Sequence, residues 1–285
     1  MKSKAFLKLI RLREIGPLSA FTPFASAFMA TGVNMDWVVL PVMFSVLAIA
    51  SYGFAVNNIF DVELDKFSNR PSKNPISTGD IPLSQAYKAS ILLAALAIGS
   101  LYFQPLTNIC LGISLIFLYH TYSMKPRIKE HPPFDVIYHT LLWAIPIAMG
   151  YLAYKPPDVT VAILFVISCS LSAVSEFINQ IIDYETDMAG GIKTTAMLIG
   201  REGSLKLCMV LTIGAFLLVM PLYGLGAIHL IIFLFTSLAC YFIVNPMNEA
   251  STSKNYTVLE KVYQRGTLAG LVVVNLLIFT ELYLG

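Results

Sequence analysis

Two stretches of the sequence place the same oxygen-bearing side chains at the same spacing. The first reads Asn57-Asn58-Ile59-Phe60-Asp61-Val62-Glu63-Leu64-Asp65, the second Asn179-Gln180-Ile181-Ile182-Asp183-Tyr184-Glu185-Thr186-Asp187. Five of the nine positions are identical, at a separation of 122 residues. On a helix, asparagine and aspartates at i, i+4 and i+8 fall within about 80° of one another. Each copy then lines one stripe with an amide and two carboxylates. Two facing stripes make a pocket whose four carboxylates repel, or take up protons, unless a cation neutralises them. Magnesium takes oxygen ligands and prefers one or two carboxylates plus phosphate oxygens, keeping several waters. The predicted guest is a metal-bridged diphosphate, with Asn57, Asp61, Asp65, Asn179, Asp183 and Asp187 around the Mg2+.

Basic residues follow these motifs along the chain. Arg70 and Lys73 come after the first, Lys193 after the second, and Lys125 and Arg127 stand in Tyr122-Ser123-Met124-Lys125-Pro126-Arg127. Cations there grip phosphate oxygens and stabilise a departing diphosphate. The same residues also fit an ordinary excess of positive charge on the cytoplasmic side of a membrane.

The elements that must position these groups are membrane helices. Of 285 residues, 56% are apolar and only 13% charged, with a mean hydropathy of +0.71. A soluble domain carries about 25% charged residues, so the surroundings here are largely lipid. Disordered, coiled-coil and disulfide-stapled classes are excluded, and a net charge of +2 gives no argument for a nucleic-acid partner. Cys110, Cys169, Cys208 and Cys240 and the four histidines are scattered, without metal-ligand spacing. No signal peptide is visible. Runs long enough to span the hydrocarbon fall at about 16–33, 37–56, 86–103, 106–122, 136–154, 159–182, 207–225, 227–244 and 266–284. With nine alternating spans, 18 of the 19 lysines and arginines share one face, and only Lys155 lies on the other. The N-terminus and both motifs are therefore predicted to be cytoplasmic, and the C-terminus to lie opposite. Four spans separate the motifs, which predicts a single domain over 1–285. It comprises two parallel four-helix repeats, about 16–122 and 136–244, plus a ninth helix at about 266–284.

These motifs resemble those of the UbiA superfamily of intramembrane prenyltransferases, and the resemblance covers nearly the whole chain. Asn57, Asp61 and Asp65 match its first aspartate-rich motif, and Asp183 and Asp187, with Asn179 ahead, match its second. Tyr122-Ser123 is similar to its tyrosine-serine loop, and Gly190 to Thr194 followed by Gly200 to the segment after the second motif. Asn58 departs from the aspartate that many members carry. Asn74-Pro75-Ile76-Ser77-Thr78-Gly79 departs from the proline-serine-glycine loop of the quinone branch. The resemblance implies an all-α integral membrane protein with nine helices around a central cavity. It also implies magnesium-dependent transfer of a polyprenyl group from its diphosphate to a lipophilic acceptor, in membrane lipid and with no obligatory protein partner. Acceptors of the family include aromatic acids, prenylglycerol phosphates, chlorins, haem and carotenoids.

On that reading Arg13 joins the diphosphate-binding cations, and the Tyr122 ring faces the developing allylic cation. Glu176 lies seven residues before Asp183, within about 20° of the same helical face. Its counterpart 122 residues earlier is Phe54. An unpaired acid inside a bilayer costs up to ~3 kcal/mol. It is predicted either to orient the acceptor or take its proton, or to make a structural hydrogen bond to a neighbouring helix. The competing class is a secondary transporter or cation exchanger, whose ion sites usually lie near the bilayer midplane on broken helices.

Overall fold

The computed structural model describes residues 3–65 and 74–283, and among them helices are the one kind of regular secondary structure. Helix α1 (Ser3–Leu9) leads into α2 (Leu12–Thr31), α3 (Val39–Phe60) and the four-residue α4 (Val62–Asp65). Then come α5 (Leu83–Leu101), α6 (Leu106–Ser123), α7 (Phe134–Leu152) and α8 (Val159–Ile182). The short α9 (Tyr184–Ala189) is followed by α10 (Thr195–Leu217), α11 (Val219–Gly224), α12 (Leu230–Ser253) and α13 (Glu260–Tyr283).

Among the described residues nine helices have 18 or more residues, and seven are long and apolar enough to cross a membrane. The protein is an integral membrane protein. The expected spans at 16–33 and 106–122 do form helices, α2 and α6, yet fall short in apolarity. Arg13 and Glu14 open α2, and Asn108 and His120 interrupt α6. The seventh expected span begins early, because α10 starts at Thr195 and breaks at Gly200, whose φ of 74° lies in the left-handed region.

Close helix packing sets the frame. In a lipid-solvated bundle, small residues at the contacts let backbones approach. A Cβ on Gly150 of α7 would lie 2.1 Å from the Pro23 carbonyl oxygen of α2, and one on Gly53 of α3 would meet the Tyr119 ring of α6 at 2.1 Å. Around these contacts α3, α5, α6 and α7 share one apolar core, including Ile49, Leu101, Leu115 and Met149. Helices α8, α10 and α12 share another, including Ile178, Leu205 and Met247. The outward faces stay apolar, as at Ile91, Val210 and Leu268, and Trp37, Tyr102 and Tyr283 project at the ends opposite the motifs. Such aromatic residues anchor helices at the membrane interface. At that same end Asp158 caps α8, accepting from Val161 N–H at 3.0 Å and from the Tyr151 hydroxyl at 2.6 Å.

Candidate active site

Both motif-bearing helices stop at their first aspartate. Asp61 ends α3 with φ −97° and ψ 2°, its N–H bonded to the Asn57 carbonyl at 3.0 Å. Asp183 ends α8 with φ −88° and ψ 5°, its N–H bonded to the Asn179 carbonyl at 2.9 Å. The second aspartates sit past this break, Asp65 on α4 and Asp187 on α9. The single continuous stripe expected from the spacing is therefore replaced by a helix end, a turn and a second short helix. Free carbonyls and tight turns at a helix end let the chain bring two carboxylates together from different directions.

The residue after each asparagine has another task. Asn58 is fully buried, donates to the Leu9 carbonyl at 2.7 Å, and its own carbonyl accepts from Asn74 Nδ2 at 2.8 Å. This ties α3 to α1 and to the 74–79 loop, where Ser77 also donates to the Val62 carbonyl at 3.1 Å. Gln180 is buried too: it donates to Asp135 at 2.9 Å and accepts from Ala196 N–H at 3.0 Å. Asp135 in turn accepts from Thr195 N–H at 2.8 Å and from its hydroxyl. The start of α10 is thereby fastened to α7 and α8.

In the first motif, Asn57 donates to Ser123 Oγ at 3.2 Å, linking the motif to the Tyr122-Ser123 element. Asp61 accepts from Arg127 Nη2 at 3.1 Å, and Lys129 Nζ contacts both of its carboxylate oxygens. Arg127 is otherwise committed: its Nε donates to Glu130 at 2.6 Å and its Nη1 to the Phe60 carbonyl at 3.1 Å. It braces the loop against α3. The expected phosphate ligands Lys125, Lys193 and Arg13 are exposed and make no ion pair among the described residues. Arg70 and Lys73 lie outside the described residues, as does the side chain of Asp65.

In the second motif, Asp183 and Asp187 have no ion-pair partner among the described residues. Burial, together with the nearby charges of Asp183 and Glu176, pushes the Asp187 carboxyl up to about 6, against the opposing pull of Lys129. Asn179 is exposed. Helix α9 is held from outside by Arg201, which pairs with Glu185 at 2.9 Å. Its guanidinium lies over the rings of Tyr184 and Tyr256, at 4.4 and 4.8 Å from their centroids.

Glu176 is not the unpaired acid that the sequence implied. It accepts from Gln180 Nε2 at 3.2 Å and meets the Tyr122 hydroxyl at 3.5 Å, while His139 Nε2 lies 3.5 Å from its other oxygen. His139 Nδ1 lies 3.1 Å from Ser172 Oγ. Sequence reasoning missed Lys129, His139, Asp135 and Gln180. Lys129 carried a weak signal, standing two residues past Arg127. His139 carried none, because only tertiary packing of α7 on α8 brings it to Glu176.

The donor set suits a divalent cation. A carboxylate whose proton affinity is raised by burial and a neighbouring acid is relieved by a cation, and Asp187 beside Asp183 is in that condition. Among the described residues no three acidic, histidine or cysteine side chains are grouped closely enough to hold a metal ion by themselves. That is in keeping with magnesium, which completes its shell from phosphate oxygens and water.

A profile of the UbiA prenyltransferase family matches residues 19–259. The chain belongs to this family. It is 27% identical over 282 residues to the digeranylgeranylglyceryl phosphate synthase of Sulfurisphaera tokodaii, covering 94% of this chain and 96% of that one. It is 29% identical to the 4-hydroxybenzoate octaprenyltransferase of Aliivibrio salmonicida, covering 80% and 83%. A UbiA homologue from Archaeoglobus fulgidus, solved bound to DMAPP and Mg2+, shares the fold with a TM-score of 0.70. That comparison covers 95% of this chain and 99% of the other at 20% identity. Membership in the UbiA family makes the protein a prenyltransferase and removes the transporter reading. Asp61 and Asp183 stand at helix ends, and Asp65 and Asp187 on the short helices that follow, rather than on two unbroken stripes.

Proposed function

We propose that the protein transfers a polyprenyl group from its diphosphate to the free hydroxyl of a prenylated glycerol phosphate in the membrane, and does so with magnesium. The observation that carries this acceptor class is the end-to-end match to a digeranylgeranylglyceryl phosphate synthase, against a shorter match to the hydroxybenzoate enzyme. The loop from Asn74 to Gly79, which departs from the quinone-branch version, supports the same choice.

In this reading Asp61, Asp65, Asp183 and Asp187, with amide oxygens from Asn57 and Asn179, hold the Mg2+–diphosphate. When bound, the metal offsets the charge that builds on the departing diphosphate. Exposed Lys125 and Lys193, together with Arg13, Arg70 and Lys73, approach the remaining phosphate oxygens. Arg127 keeps Asp61 and the adjoining loop in register. The Tyr122 ring, its hydroxyl directed to Glu176, faces the allylic carbon as positive charge develops there.

The acceptor's O–H bond must break as its oxygen bonds the allylic carbon and the carbon–oxygen bond to diphosphate breaks. Glu176 takes that proton, with His139 beside it to share the charge. The surrounding apolar helices keep water from the reactive carbon. The test is a fixed labelled prenyl diphosphate offered in nanodiscs to prenylglycerol phosphate and, separately, to 4-hydroxybenzoate. Product from the first alone supports the proposal. Product from the second alone replaces the acceptor class.

A further inference from the structure

The two motifs are electrostatically unequal. Around the first, Lys129 and Arg127 converge on Asp61, and Glu130 pairs with Arg127. Among the described ion pairs, two acids and two bases offset one another here. Around the second, Asp183 and Asp187 have no lysine or arginine paired with them among the described residues, and Glu176 adds a third acid whose one ion-pair partner among those residues is His139. The Lys129 ammonium holds Asp61 by contact with both carboxylate oxygens.

The two cations at Asp61 differ in what they are free to do. Arg127 is fixed by bonds to Glu130, to the Phe60 carbonyl and to Asp61, so its planar fork cannot turn away without losing several partners. Lys129 carries a point charge on a flexible stem, and Asp61 is its only ion pair among the described residues. With side-chain exposures of 16% for Lys129 and 13% for Asp61, the pair is shielded enough from water to be held firmly. A divalent cation approaching Asp61 must displace this ammonium and leave it without a partner, which is unfavourable at a partly buried site. A diphosphate arriving with the cation offers the ammonium a new anionic partner.

We propose that Lys129 is an internal counter-ion for Asp61, released to the donor's diphosphate, so that Asp61 admits a divalent cation only together with that diphosphate. The proposal rests on the reading that both motifs serve a metal-bound diphosphate. It couples the two ligands: each strengthens the other's binding by the same factor. It also assigns an order, with the second motif meeting the cation first.

The experiment counts bound Mn2+ by electron paramagnetic resonance on the full-length protein in detergent, with and without inorganic pyrophosphate. With Lys129 intact and without pyrophosphate, Mn2+ binding should be lost in Asp187→Asn and stay within about twofold of wild type in Asp61→Asn. With pyrophosphate present, Asp61→Asn should weaken Mn2+ binding by about tenfold, a typical coupling. Lys129→Met should show that dependence on Asp61 already without pyrophosphate, and Lys129→Arg should behave as wild type. Equal weakening by Asp61→Asn with and without pyrophosphate overturns the counter-ion, and needs no Lys129 variant to fold. Mn2+ binding that neither Asp61→Asn nor Asp187→Asn alters in either condition overturns the two-motif reading itself.

Discussion

Asn58 and Gln180 occupy the same place in the two motifs, and each is buried and hydrogen-bonded to a neighbouring segment. Asn58 donates to the Leu9 carbonyl, and Gln180 donates to Asp135 and receives from Ala196. Each carboxamide supplies a donor at a buried position, and a carboxylate has none to give. The departure of residue 58 from the family's usual aspartate thus has a local cause. Asn57 binds Ser123 beside the motif, while residue 58 belongs to the brace.

Asn58→Asp should therefore destabilise the protein. It deletes the bond to Leu9 and buries a carboxylate with no cation against it, a change worth about 2–4 kcal/mol. Thermal unfolding in detergent checks this, with Asn58→Ala expected to cost less than Asn58→Asp. An aspartate variant as stable as wild type would show that the brace does not hold α1.

A good part of this was legible in the chain. The twin motifs and their separation follow from residue types and spacing. So does the membrane class, since 13% charge cannot clothe a soluble surface. The path of each motif was not legible. Periodicity assumes that the helix continues, whereas α3 and α8 stop at Asp61 and Asp183. The pairings of Lys129 with Asp61 and of His139 with Glu176 join residues 68 and 37 positions apart, set by packing that no local pattern encodes.

The second motif should carry a pH signature in metal-free protein. Asp187 binds its proton with a pKa of about 6 when folded, against an ordinary 3.8. Between those values the folded state holds more protons than the unfolded one, so stability falls as pH rises through the window. Above about pH 6 the full penalty applies. Asp187→Asn in EDTA should be more stable than wild type at pH 7, on the order of 1 kcal/mol after allowing for partial exposure. The gain should disappear below pH 4. A variant less stable than wild type at pH 7 would contradict the crowding of these carboxylates.

Glu176→Gln separates proton transfer from packing. Glutamine keeps the shape and can still accept from Tyr122 and Gln180, yet it cannot take a proton. Transfer should fall by about 100-fold with prenyl diphosphate binding unchanged, and His139→Gln should alter the pH profile of the rate. Unchanged transfer across pH in Glu176→Gln would leave this acid a purely structural role.

The excess of lysine and arginine beside the motifs predicts that they face the cytoplasm. In a background with the native cysteines replaced, Lys193→Cys should react only with a reagent admitted to the cytoplasmic side. Asn34→Cys should react only from the other. Both positions are exposed, whereas neighbouring Thr194 is buried as the cap of α10. Labelling of both from one side would break the topology.

The most direct measurement is transfer of a labelled prenyl group from its diphosphate by purified protein in nanodiscs, with Mg2+ or with EDTA. It is made on wild type, Asp61→Asn and Asp183→Asn. The account predicts product from wild type with Mg2+ alone, and a loss of more than about 100-fold in each variant, with both variants still folded. Normal turnover by either variant, or by wild type in EDTA, would contradict a site in which two motifs hold one metal-bound diphosphate.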